Sequence, residues 1–180
     1  METYISLLRG INVAGQKKIL MADLKVLYED LGFENVKTYI QSGNVVFNFK
    51  KTNKEDLENL IFDKIKDHYG FEVPNLILEG EEIENALESN PYKDVEKPYF
   101  TFLSENPQQE NIDEMSKHSF ENEFYELKGK VIYSHYPNGA GRSKMTLNFF
   151  EKKLKVAATT RNWRTLNKLL EISLTFFLFH

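Results

Sequence analysis

The sequence predicts an α+β protein built as two tandem halves, and three observations carry that expectation. Strand-like and helix-like segments follow one another in the order β-α-β-β-α-β, and the order then repeats. A turn pair separates the two central strands of each repeat, Ser42-Gly43 in the first and Lys128-Gly129 in the second. Between the repeats lies an acidic connector, EGEEIENALESNPYKDVEK.

Each element has its own signal. Residues 4–8 read as a strand. Leu20, Leu24, Leu27, Tyr28 and Leu31 make one helical stripe, closed by Gly32. Residues 36–41 and 45–49 form a hairpin about Ser42-Gly43. Thr52 and Glu55 have the spacing of a capping box, and Leu57, Leu60, Ile61 and Ile65 form the stripe behind them, ending by Gly70. Residues 73–78 close the first half as a strand, and a short helix is expected over 83–87 in the connector. The second half reads as a strand at 98–103, a helix at 107–117 carrying Ile112 and Met115, and strands at 124–127 and 131–135. Ser143 is expected to cap a helix with Leu147, Phe150 and Leu154 inward. A short strand at 156–159 follows. Thr160 is expected to cap a last helix with Trp163, Leu166, Leu169 and Leu170 on its buried face.

This order is ferredoxin-like. The organisation expected is a first half at 1–80, a connector at 81–97, a second half at 98–160, and a terminal helix with an apolar tail at 161–180. Each sheet has one face left over, which the halves would bury by facing or joining each other. Strands one and three of a half are expected to point the same way and strand four to point back. That would put the loop after residue 135 and the helix start at Thr160 at opposite ends of their sheet. The tail LTFFLFH is too short to cross a bilayer and is expected to pack within the protein or across a dimer contact.

Composition narrows the function classes. The chain of 180 residues is 41% hydrophobic and 28% charged, ordinary for a folded domain or two. It has no cysteine, which removes disulfides, thiolate catalysis and thiolate zinc sites. No signal peptide or membrane-length apolar run is visible, so a cytoplasmic protein with no membrane partner is expected. The net charge of −4 is unevenly spread. From Tyr136 to Lys168 there are eight bases against one acid, and from Thr52 to Glu126 twenty acids against six bases. A basic segment on an acidic body attracts phosphate or nucleic acid, unless the two segments pair or are simply solvated.

The motifs are near misses. In LLRGINVAGQKK, Gly10 and Gly15 have the spacing of the nucleotide-binding G-x-x-x-x-G-K-[ST] loop, but Gln16 and Lys17 replace its lysine and hydroxyl residue. What survives is a strand-to-helix loop with Arg9, Lys17 and Lys18 near a helix N-terminus. YPNGAGRSK, with Arg142 and Lys144, has the same design, and TTRNWR forms a third basic helix start. An RNA-recognition sheet needs stacking aromatics on its first and third strands. Tyr4 is placed for the first, but Asn44 and Val46 occupy the third, with Phe47 and Phe49 read on the opposite face. The four histidines have no metal spacing; His68 and His135 read as surface residues. No catalytic triad is visible, and neither metal nor cofactor is expected.

The stretch YISLLRGINVAGQKKILMADLKVLYEDLGFENVKTYIQSGNVVF resembles the opening of a bacterial family of unknown function, DUF1697, and GRSKMTLNFFEKKLKVAATTRNWRTLNKLLE resembles its closing segment. The resemblance implies an α+β fold related to the ferredoxin-like class, and no activity, substrate or cofactor. The family pattern has glycine where this chain has Ala14, and the tail after Ile172 departs from it. The characteristic positions fall on Arg9, Gly10, Asn12, Gln41, Ser42, Gly43, Asn44, Arg142, Ser143, Lys144, Thr160, Arg161, Asn162 and Trp163. The leading expectation is a binding module for a phosphate-bearing small molecule, nucleotide or nucleic acid. Its anion-site candidates are Arg9, Asn12, Lys17, Gln41, Ser42, Asn44, Arg142, Ser143, Lys144, Arg161 and Asn162. One alternative is an enzyme acting on an anionic substrate between the halves. Another is an interaction protein that dimerises; a monomer or weak homodimer is expected.

Overall fold

The computed structural model describes residues 1–176. The chain divides into two compact units, one of residues 1–84 with the end of the chain from Asn167, the other of residues 85–166. Among the described residues there are two four-stranded antiparallel sheets and six α-helices. No described helix is long and apolar enough to cross a membrane.

In the first unit the order is β1 (Glu2–Leu8), α1 (Met21–Asp30), β2 (Glu34–Tyr39), β3 (Asn44–Phe49), α2 (Lys54–Tyr69) and β4 (Asn75–Glu79). The sheet order is β2-β3-β1-β4. Side chains alternate between faces along a strand, and β1 pairs Tyr4 with Phe47 and Ser6 with Val45. Tyr4, Leu8, Val45 and Phe47 therefore share the face covered by α1 and α2, with Leu24, Leu27, Tyr28, Leu57, Ile61 and Ile65. The Tyr4 and Phe47 rings lie 5.8 Å apart, both buried. This corrects the expectation that Tyr4 faces out and Phe47 the other way. The RNA-recognition platform is absent from this sheet because its aromatics are core.

Several caps and stripes also differ. Asn53, not Thr52, caps α2, its Oδ1 accepting the Glu55 N–H at 3.0 Å. Thr52 instead bonds the Tyr4 hydroxyl with its backbone N–H at 3.2 Å. Leu20 precedes α1 and is 70% exposed, and Leu60 is 41% exposed, so the apolar stripes are narrower than their leucines suggest. The β2–β3 connection spans Ile40 to Gly43 rather than two residues. Gly70 ends α2 in the left-handed conformation, as its position predicts.

The second unit takes in the end of α3 (Gly80–Glu88), which starts in the first, then β5 (Tyr99–Leu103), α4 (Gln109–Ser116), β6 (Phe124–Lys128), β7 (Val131–His135), α5 (Leu147–Leu154) and β8 (Ala158–Asn162). Its sheet order, β6-β7-β5-β8, repeats that of the first. Leu103, Ile132 and Ala158 pack with Met115, Phe150 and Leu154 on the helix-covered face. Helix α6 (Trp163–Thr175) starts in this unit and continues in the first. In the first unit Phe176, just past its end, is buried and lies 4.9 Å from the Lys37 ammonium. The rest of the apolar tail, residues 177–180, lies outside the described residues.

Candidate functional site

The Gly10–Lys18 loop is held by its own polar groups. Asn12 Nδ2 donates to Ile19 O and Gln41 O, both at 2.9 Å, and its Oδ1 accepts the Ile19 N–H at 2.9 Å. One side chain thus ties the loop's two ends to the β2–β3 turn. Val13 to Gln16 form a tight turn, closed by Gln16 N–H to Val13 O at 2.9 Å. Its central residues, Ala14 and Gly15, have φ of 49° and 77°. Positive φ at both central positions is the hairpin turn that favours Asn-Gly or Gly-Gly. Lys17 Nζ donates to Glu72 O at 2.7 Å. Gln41 and Ser42 lie in the neighbouring turn, and buried Asn44 donates to Tyr39 O at 2.9 Å and Ser42 Oγ at 3.0 Å. The structure brings Asn12 and Gln41 together, but their contacts serve the loop's shape.

Alanine in a left-handed conformation costs about 1–2 kcal/mol, and the exposed Ala14 methyl offers no packing in return. Ala14→Gly is therefore expected to raise unfolding stability by about 0.5–1 kcal/mol after the extra chain entropy of glycine is counted. A urea titration checks it, and a lowered midpoint would refute the strained turn.

The second unit gives a different picture. Strand β5 pairs antiparallel with both β7 and β8, and Tyr99 is the partner of Ser134 on one side and Asn162 on the other. Strands β7 and β8 therefore point the same way, opposite to β5. This corrects the expected strand directions. The loop after β7 and the start of α6 after β8 leave the sheet at one end, not at opposite ends.

The caps move as well. Thr160 and Arg161 lie within β8, and Asn162 is the cap of α6, its Oδ1 accepting the Thr165 N–H at 2.8 Å. Thr160 Oγ1 instead shares a 2.7 Å hydrogen bond with Thr101 Oγ1. Ser143 precedes α5 without capping it; Thr146 Oγ1 does so, accepting the Phe149 N–H. The Ser143 hydroxyl donates to Glu123 Oε2 at 2.7 Å and accepts the Met145 N–H at 2.8 Å. Arg142, at the end of a 3-10 turn over Ala140–Arg142, and Lys144 are exposed.

Arg161 is 8% exposed, on the sheet face it shares with Phe100 and Tyr133. Its Nη1 donates to Thr159 Oγ1 at 2.9 Å and Thr160 O at 2.8 Å. Burial lowers its pKa to about 10, so it remains a cation at neutral pH. Trp163, expected in the core, is 50% exposed. It borders a groove of about 460 Å³ lined also by Asn90, Lys93, Lys97 and Pro98. Lys93 and Lys97 were hidden in the sequence by the acidity of the connector around them. Nearby, Tyr99 and Tyr136 stack edge to face at 5.2 Å. Burial raises the Tyr136 pKa, and its hydroxyl donates to Met145 O at 3.1 Å. His135 is half-buried, with Nδ1 unpartnered, rather than a surface residue. No group of three or more potential metal ligands occurs among the described residues.

The result is an α+β protein in which the loop after β7 and the start of α6 leave the second sheet at one end. The chain belongs to the family described as "Protein of unknown function (DUF1697)", whose model matches residues 1–133. Arg142 and everything after it lie beyond the matched residues. A search of curated proteins returns no match. Among solved structures, the chain is similar to the conserved bacterial protein SP0830 from Streptococcus pneumoniae. The identity is 24% and the TM-score 0.73, covering 95% of this chain and 98% of that one. At that identity the likeness speaks for the fold alone.

Proposed function

We propose that the protein is a binding module for a phosphate-bearing ligand, held at the end of the second sheet where β7 and β8 finish. The observation that carries this reading is the parallel course of those two strands, which sends the Tyr136–Lys144 loop and the start of α6 to one edge. Arg142, Lys144 and Arg164 are exposed there. Cations on adjoining loops concentrate the field that a phosphate or polyphosphate experiences. Both units are ferredoxin-like in this reading, supported by the repeated strand order. The Arg9–Lys18 loop serves as a structural connector.

The test is fluorescence anisotropy of a labelled single-stranded oligonucleotide, used as a polyphosphate probe over a series of salt concentrations. Binding is expected at low salt and should weaken as salt rises. The R142Q/K144Q/R164Q variant should bind at least about tenfold more weakly, with a salt slope shallower by about 2, the share of three cations on a single strand. A variant that binds like the parent, or a parent that does not bind at low salt, would sink the reading.

A further inference from the structure

The groove beside Trp163 points to the kind of phosphate ligand involved, and the inference rests on the phosphate reading above. We infer that this groove takes the base of a nucleoside phosphate, stacked on Trp163, with the phosphate directed to Lys93 and Lys97. Four features support it, all within the second unit. The first is size: about 460 Å³ falls in the range of small-molecule sites, about 300–1,000 Å³.

The second is the indole itself. A half-exposed tryptophan beside Val95 and Pro98 offers a flat apolar wall, and stacking of a base on such a ring is tolerant of base identity. Its backbone N–H donates to Pro98 O at 3.0 Å, which fixes the helix start against that wall. The third is charge. Lys93 and Lys97 line the same groove together with Glu96, which pairs with Lys97 at 3.3 Å, so one cation in excess adjoins the apolar wall.

The fourth is Asn90, which lines the groove and is only 5% exposed. Its Oδ1 accepts the Tyr92 N–H at 3.0 Å, which assigns the amide orientation. Nδ2 is then the donor left over, and no described residue accepts from it. That donor keeps access to solvent, so an acceptor on a ligand would take the place of water there. The ring nitrogens and carbonyls of a base are acceptors of the right kind.

Trp163 is the sole tryptophan of the chain, so its emission reads this groove directly. Nucleoside monophosphates are titrated into the full chain, with free tryptophan as the control for inner filtering. Ribose 5-phosphate and inorganic phosphate provide the arms that lack a base. Saturable quenching by the nucleotides, with none from the baseless arms, is expected. Asn90→Asp keeps the oxygen that holds Tyr92 and removes the donor, and it should raise the apparent Kd about tenfold. K93Q/K97Q should weaken binding and flatten its salt dependence. Absence of saturable quenching, equal quenching by ribose 5-phosphate, or an unchanged Kd in Asn90→Asp would overturn the inference. If nucleotides leave Trp163 unchanged while the oligonucleotide still binds through Arg142, Lys144 and Arg164, the base groove fails and the phosphate edge stands. If neither binds, both fail.

Discussion

Phe47→Ala is expected to lower the unfolding free energy by about 3–5 kcal/mol, the usual cost of truncating a fully buried phenylalanine. Phe47 is 0% exposed and sits at the centre of an aromatic cluster. Its ring stacks on Phe33 at 4.2 Å and meets Tyr28 edge-on at 5.6 Å. Its cross-strand partner is Tyr4. Truncation leaves a cavity whose walls are strand and helix residues already tied by other contacts, so little of it can collapse. Urea unfolding followed by far-UV circular dichroism measures the loss. A change under about 1 kcal/mol would show that the cluster is not packed as described. The Tyr28 hydroxyl provides an internal check: it bonds Ser6 Oγ at 2.8 Å, and burial raises its pKa. Its titration should return toward the ordinary tyrosine range if the variant opens this core.

Gly43→Ala is the second large effect. Gly43 has φ of +81°, and a Cβ there would lie 2.6 Å from Leu8 Cβ and 2.8 Å from Ile11 Cδ1. Its carbonyl also accepts the Leu8 N–H at 2.8 Å, so the turn cannot back away without breaking that bond. The conformational cost is about 1–2 kcal/mol, and overpacking adds about 1–3 kcal/mol. A total loss of about 2–5 kcal/mol is expected. Gly32 separates the two terms, since it has the same φ of +81° with open space where its Cβ would go. Gly32→Ala should cost only the conformational part. Equal losses at the two positions, read from their urea midpoints at constant m-value, would remove the steric claim.

The Gly43 environment also explains why QSGN stands out in the sequence. Gly43 is required by the turn, and Asn44 is spent on Tyr39 O and Ser42 Oγ. Polar residues at turns look like binding residues until their partners are visible. Asn12 makes the same point, since all of its side-chain bonds serve the loop and the turn beside it.

The element order was determined by the sequence alone. Hydrophobic periodicity places two β-α-β-β-α-β runs, because the spacing of buried residues is a local property of helix and strand. Residues such as Leu57, Ile61 and Ile65 announce their face at a spacing of four. The lack of thiol chemistry and the basic charge of residues 136–168 are likewise composition, and folding does not change them. Tertiary structure decided what local spacing cannot encode. Strand direction depends on which strands pair, and the pairing of β5 with both β7 and β8 brought two loops to one edge. Cap choice among Thr52 and Asn53, or Thr160 and Asn162, turns on where a strand's ladder of hydrogen bonds stops. Burial of Arg161 and exposure of Trp163 depend on which side of a sheet or helix is covered, and that is settled by packing between segments distant in the chain.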